Sequence, residues 1–203
     1  MLSLLVSFGL LIIAMTVHEF AHGWVAYKLG DMTAKYSGRL TLNPLAHIDP
    51  IGTLLLPFIL FISTGGRFVF GYAKPVPINY WGLKNPRRDM GLIGLSGPAA
   101  NLILAFILSI AWKALPVDSL LRLILEYLIS INVILGIFNL IPIPPLDGSR
   151  ILSALLPFNL ASQYNRLEPY GFILLLLLIT SGITNIILWP LVRMFLAFLG
   201  VSF

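Results

Sequence analysis

His18, Glu19 and His22 stand at the inner end of the first apolar stretch, with Phe20 and Ala21 between them. Residues four apart on a helix lie on one face, so the two imidazoles can converge on one cation. Glu19 points roughly a quarter-turn away and can reach a water on the open side of that cation. This is the HExxH arrangement, in which two His hold zinc and the Glu serves as general base. Glu19 is the only Asp, Glu, Lys or Arg between Met1 and Tyr27. Ionisable groups within sequence that a bilayer would accept are costly and mark function by default.

A hydrolytic zinc site takes three protein ligands and keeps one position open. Cysteine is absent, so the third ligand must be His or carboxylate. The candidates are His47, Asp49, Asp118, Glu126, Asp147 and Glu168. Choosing among them requires the depth of each, and hence the elements that carry them.

Of the 203 residues, 58% are hydrophobic and only 10% charged. Soluble domains average about 25% charged residues, so the chain is an all-α polytopic membrane protein. It is expected to form one membrane domain over 1–203, a core to 153 and a C-terminal span and tail over 154–203, leaving no room for a soluble module. The net charge of +5 has no soluble basic face to sit on, which argues against nucleic acid as a partner. The opening stretch lacks a basic leader and a small-residue cleavage site, so it is kept as a mature span.

Leu2 to about Tyr27 is long enough to cross as a helix, and Met90–Lys113, Leu120–Ile141 and Tyr170–Trp189 read as further spans. Four transmembrane helices result. Ile51–Ser63 is apolar but only about 13 residues, too short for an ordinary span, and is expected to be re-entrant. Ser37–Leu42 and Phe68–Phe70 alternate like small strands near the site. The course of 190–203 is left open.

Loop charge sets orientation. Lys28, Lys35 and Arg39 lie before the short apolar segment, and Arg67, Lys74, Lys84, Arg87 and Arg88 after it. Both loops belong on the cytoplasmic side of a cell membrane, with the N-terminus outside. His18 and His22 then lie toward the cytoplasmic side. Asp118 and Glu126 fall at the wrong depth and Glu168 at an interface, while Asp147 arrives at the right end of its span. Asp49 is better explained as the cap of the segment opened by Pro50.

His18-Glu19-x-x-His22, Asn43-Pro44-x-x-His47-x-Asp49-Pro50-x-Gly52, Gly97-Pro98-x-x-Asn101 and Asn139-x-x-Pro142-x-Pro144-Pro145-Leu146-Asp147-Gly148 together resemble the site-2 protease family of intramembrane zinc metalloproteases. The likeness runs from the first helix to about Ser153 and continues weakly through Tyr164–Gly171. It matches the compact branch without PDZ or CBS modules. The resemblance implies Zn2+ held by His18, His22 and Asp147, with Glu19 as base. It also implies that peptide bonds in or beside transmembrane segments of protein substrates are cut.

Other polar residues could support that chemistry. Asn139 could donate to the substrate backbone or to an oxyanion, or simply join helices. Asn101 follows a small-residue pair suited to tight packing. His47 could contact substrate or gate the metal. Two further readings use the same residues: a membrane zinc carrier or sensor without hydrolysis, and an inactive scaffold that binds transmembrane segments. A carrier has no need of Glu19 beside its ligand. Substrate, cut position, oligomeric state and trigger are not written in the sequence.

Overall fold

The computed structural model describes residues 2–63, 65 and 71–201. Long helices dominate because apolar runs in lipid must satisfy every backbone group internally. α1 (Leu2–Lys28), α4 (Pro86–Lys113) and α5 (Leu120–Asn139) are long and apolar enough to cross a membrane. Between the first two come α2 (Thr33–Tyr36), a 3-10 turn at Pro44–His47, a π-turn at Pro50–Leu55 and α3 (Leu56–Ser63). α6 (Asp147–Leu155), α7 (Phe158–Asn165), α8 (Gly171–Thr180) and α9 (Ile183–Leu199) complete the chain.

α4 is the hub, packing on α1, α5 and α6. Its buried side is a run of small or compact residues, Gly91, Gly94, Gly97, Asn101, Ala105 and Ser109. Small side chains let helix backbones approach closely in a bilayer, where packing and not the hydrophobic effect drives association. α1 answers with Ala14, His18, His22 and Ala26, a buried stripe at four-residue spacing. A second cluster joins Ala105, Ile129, Val133, Val192, Leu196 and Leu199, seating α9 on α4 and α5.

Several sequence expectations need correction. The expected span Tyr170–Trp189 is not one straight helix: the chain bends by 78° between the helices flanking Ser181 and Gly182. Gly182 sits at φ +76, a left-handed conformation that costs glycine nothing and ends α8. The count is therefore three spans, or four if the bent pair is taken as one. No strand occurs among the described residues. Ser37–Leu42 is instead the end of α2 followed by an irregular run. Gly38 takes φ +68 and the Arg39 N–H closes back on Ala34 O at 2.8 Å, a helix C-cap whose small and polar residues mimic strand alternation. The second expected strand, Phe68–Phe70, lies outside the described residues. α4 also begins earlier than hydropathy suggests, at Pro86, because proline's fixed φ suits a first helical position.

Candidate active site

α1 presents His18 and His22 one turn apart, and the N-terminal turn of α6 brings Asp147 between them. Asp147 Oδ2 lies 2.9 Å from His18 Nε2 and 3.1 Å from His22 Nε2. All three residues are buried, and their donor atoms lie within 4.8 Å of one another. Among the described residues this is the one cluster of His, Asp or Glu side chains compact enough to hold a metal ion. Helix packing makes the approach feasible. A Cβ on Gly97 would stand 2.4 Å from His22 Nε2 and 2.6 Å from His18 Nε2, so α4 can back the site only with a glycine there. Gly148 has the same role beside Asp147, where a Cβ would meet Leu140 O at 2.3 Å.

The far nitrogens of both rings fix which way each imidazole faces. His22 Nδ1 lies 2.7 Å from Ile93 O, and a carbonyl only accepts, so Nδ1 carries the hydrogen. His18 Nδ1 lies 2.6 Å from Asn101 Oδ1. The Asn101 amide is oriented in turn, since its Nδ2 donates to Ala14 O at 3.0 Å and to Asn132 Oδ1 at 2.7 Å. Asn132 Nδ2 donates to Leu128 O at 2.8 Å. Every direction in this chain follows from a backbone carbonyl, and both asparagines are fully buried. With hydrogens on both Nδ1 atoms, both Nε2 lone pairs point at a carboxylate oxygen. Three acceptors facing each other require a positive centre among them, a proton on Nε2 or a metal ion. Two neutral imidazoles and a carboxylate, each imidazole tied from behind, form a donor set that zinc favours.

The sequence matches peptidase family M50 over residues 6–124 and 113–179. This chain belongs to that family, the site-2 proteases. It is similar to "Putative zinc metalloprotease YwhC" of Bacillus subtilis, 42% identical over 90% of this chain and 84% of the relative. "Putative zinc metalloprotease Rip2" of Mycolicibacterium smegmatis is 32% identical over 94% of this chain and 73% of its own length. "Putative zinc metalloprotease MJ0611" of Methanocaldococcus jannaschii is 33% identical over 66% and 62%. No solved structure matches. Zinc is the family's metal, and the His18–His22–Asp147 group of this site-2 protease fits it.

The protease's cluster opens on a cavity of about 440 Å³, lined by Met15, Glu19, Tyr72, Val76, Phe138 and Arg150 among others. Glu19 is partly exposed and accepts a hydrogen bond from Val76 N at 2.8 Å through Oε2. Val76 belongs to an irregular strap, 71–79, that lines the cavity. Its N–H groups at 72, 74 and 76 each find an acceptor. Tyr72 N donates to Gly52 O at 3.0 Å, Lys74 N to His47 O at 3.0 Å, and Val76 N to Glu19. Asn79 N closes the series on Asp31 Oδ2 at 2.8 Å. From the other side the Arg39 guanidinium donates to Lys74 O and Pro75 O. Pro75 and Pro77 can donate nothing, which leaves Val76 as the single donor of that stretch.

The remaining sequence candidates separate clearly. Asn101 is fully buried behind His18, against its Nδ1. His47 is buried away from the cluster, holding Thr41 O at 2.8 Å through Nε2 and the strap through its own carbonyl. Asp49 caps the π-turn, accepting from Ile51 N at 3.0 Å and Gly52 N at 2.6 Å. Asn139 lines the cavity, but its Nδ2 donates back to Leu135 O in its own helix at 2.9 Å. Sequence reasoning missed Asn132, the Ile93 carbonyl and Val76. A second mid-span asparagine and the prolines flanking Val76 were the available signals for two of them.

Asp147 lies outside the candidate spans. Burial pushes its carboxyl up, but protons on the facing His22 and His18 Nε2 atoms, where no metal ion takes their place, outweigh that and hold it well below the usual carboxylate range. Tyr80, in a turn before α4, is pushed up by burial against the opposing pull of Arg150, so it remains a neutral ring.

Proposed function

We propose that this site-2 protease is an endopeptidase that hydrolyses peptide bonds in or beside the transmembrane segments of membrane-protein substrates. His18, His22 and Asp147 are its zinc ligands and Glu19 its general base. One observation carries the reading: the three ligand atoms and the Glu19 carboxylate share one cavity while every other hydrogen-bonding group of the two His rings is already engaged. Zinc bound there supplies a Lewis acid that activates water and polarises a carbonyl.

The protein's own groups perform the rest. Val76 N–H holds Glu19 Oε2 on the wall of the cavity, leaving Oε1 free to take a proton from the attacking water. Glu19 then returns that proton to the departing amine as the C–N bond breaks. Ile93 O and Asn101 keep both His rings from turning, so no reorganisation is needed during reaction. A helical substrate hides its carbonyls in its own hydrogen bonds, so it must unwind locally before a carbonyl can enter. Segments weakened by Gly or Pro near the cut are therefore the expected substrates.

Glu19→Gln is the test. Zinc content should stay at the wild-type level while cleavage of a single-spanning reporter peptide is lost. Cleavage at the wild-type rate would overturn the mechanism, and zinc translocation across vesicles by wild type and variant alike would favour a carrier. We also place the site toward the cytoplasmic side with the N-terminus outside, on the basic loops around 28–49 and 64–89. The chain has no cysteine, so single Val117→Cys and Arg87→Cys variants can be labelled from one side at a time. An impermeant reagent should reach Cys only at 117 from outside; labelling at 87 would reverse the orientation.

A further inference from the structure

Arg150 stands one turn after Asp147 on α6, and nothing above gives it a task. Its Nη1 lies 3.6 Å from Asp147 Oδ1, an ion pair beyond hydrogen-bond reach, while Oδ2 of the same carboxylate faces the two His. Its guanidinium carbon lies 5.7 Å from the Tyr80 ring centroid. The Arg150 guanidinium makes no hydrogen bond to the described residues, so its five N–H donors are unspent. The side chain is 36% exposed, and it lines the site cavity. α4 makes room for it: a Cβ on Gly94 would stand 3.0 Å from Arg150 Cβ. Among the described lining residues it is the one guanidinium or ammonium group, paired with the Asp147 carboxylate and sharing the cavity with Glu19. A fork of free donors, placed next to a ligand cluster and opening on the reaction cavity, is arranged to receive an acceptor that arrives with the substrate.

We propose that Arg150 is a catalytic residue whose guanidinium donates to the scissile carbonyl oxygen as negative charge builds on it. The inference rests on the protease reading above. When the water oxygen bonds to the carbonyl carbon, its proton goes to Glu19 and the C=O π pair moves onto oxygen. When the pair returns, the C–N bond breaks and the amine takes the proton from Glu19. Arg150 forms no bond and gives up no proton, since guanidinium stays protonated throughout the accessible pH range. It contributes hydrogen bonds and charge that are stronger to the oxyanion than to the neutral carbonyl, which is the condition for accelerating the step. Its planar fork suits that task because the ion pair with Asp147 already limits where it can point.

The test compares wild type, Arg150→Gln, Arg150→Lys and Glu19→Gln in detergent. The substrate is a single-spanning fluorogenic peptide that the wild type cuts. The second probe is a phosphinic isostere of its cut site, whose tetrahedral anion mimics the charged oxygen. Arg150→Gln should lower kcat about 100-fold with KM within about twofold, the loss typical of one oxyanion donor. Zinc content should be unchanged, and the isostere should bind about 100-fold more weakly. Arg150→Lys should recover part of both, as a point-charge donor. Unchanged kcat overturns the proposal. So does a kcat loss that tracks loss of zinc, which would make Arg150 a holder of Asp147, or a rise in KM alone, which would make it an anchor for an acidic substrate residue. Wild-type cleavage by Glu19→Gln would instead overturn the protease mechanism itself, whatever Arg150→Gln does.

Discussion

The two halves of the proposed reactive apparatus are held by different physics. The ligand half is built between α1, α4 and the first turn of α6, where glycines let backbones close in and every ring nitrogen has a buried partner. The base half is built by the strap over 71–79, which belongs to no helix or strand and hangs from the backbone N–H groups of 72, 74, 76 and 79. Interiors packed this closely resist change of even one methyl group. A strap hung on a few hydrogen bonds opens locally at far lower free energy. Metal retention and proton transfer should therefore be separable by mutation.

The sharpest break is Gly97→Ala. The added methyl would overlap both Nε2 atoms, at 2.4 and 2.6 Å, so a helix or a ring must move. Overpacking of a dense core costs about 1–3 kcal/mol. Here the atoms displaced are the ligand atoms, so zinc and activity should both be lost while helix content is kept. Metal analysis beside circular dichroism checks this. A zinc-loaded, active Gly97→Ala protein would show that the helical half is far softer than its packing implies.

Asn101→Leu should come next. It removes the acceptor for His18 Nδ1 and the donor for Asn132 Oδ1, leaving two buried polar groups without partners. Each such orphan costs about 1–3 kcal/mol. Loss of an outer partner of a ligating His typically weakens metal binding about 10–100-fold. Competition with a chelator of known affinity measures the change. Equal zinc affinity in both proteins would mean that α1 packing alone orients His18.

Arg39→Ala addresses the other half. It frees Lys74 O and Pro75 O on the strap without touching any ligand. Zinc should be retained in full, and kcat should fall about tenfold, equivalent to roughly 1.4 kcal/mol of barrier. Loss of zinc in this variant would join the two halves into one unit. Arg39→Lys, which keeps a donor but not the fork, should fall in between.

How much of this was legible beforehand follows the same division. The ligand half is written in side chains: His18 and His22 at helical spacing, and a Pro-Pro-Leu-Asp-Gly turn at the end of a span, already restrict where a cation can sit. The base half is written in main-chain donors, and Val76 carries no polar side chain to betray it. Only the two prolines around it hint that its N–H is singled out. Ser37–Leu42 misled because a helix cap and a strand both alternate small, polar and apolar residues. The break at Ser181–Gly182 was hidden for a different reason. Hydropathy reports that a segment is apolar but not which way it runs, and a lone Ser-Gly pair barely dents the average. Asn132 carries no signal of its own in the sequence, since asparagines inside spans are common interhelical glue, and only its contact with Asn101 sets it apart.

The smallest effect is expected at Asn139, where sequence and structure differ most about chemistry. An asparagine at the cavity end of a span is a natural oxyanion donor by type. In the structure its Nδ2 is bound to Leu135 O, one turn back on its own helix, at 2.9 Å. A helix-internal bond of this kind is worth little, about 0.6 kcal/mol for polar contacts within membranes. Turning the amide to serve a substrate would forfeit it, while Arg150 has donors to spend without any such loss. Asn139→Ala should then change kcat less than about threefold and leave zinc in place. A fall of about 100-fold, with Arg150→Gln near wild type, would hand the oxyanion to Asn139, and the hydrogen bond to Leu135 would have to be one that substrate breaks on entry.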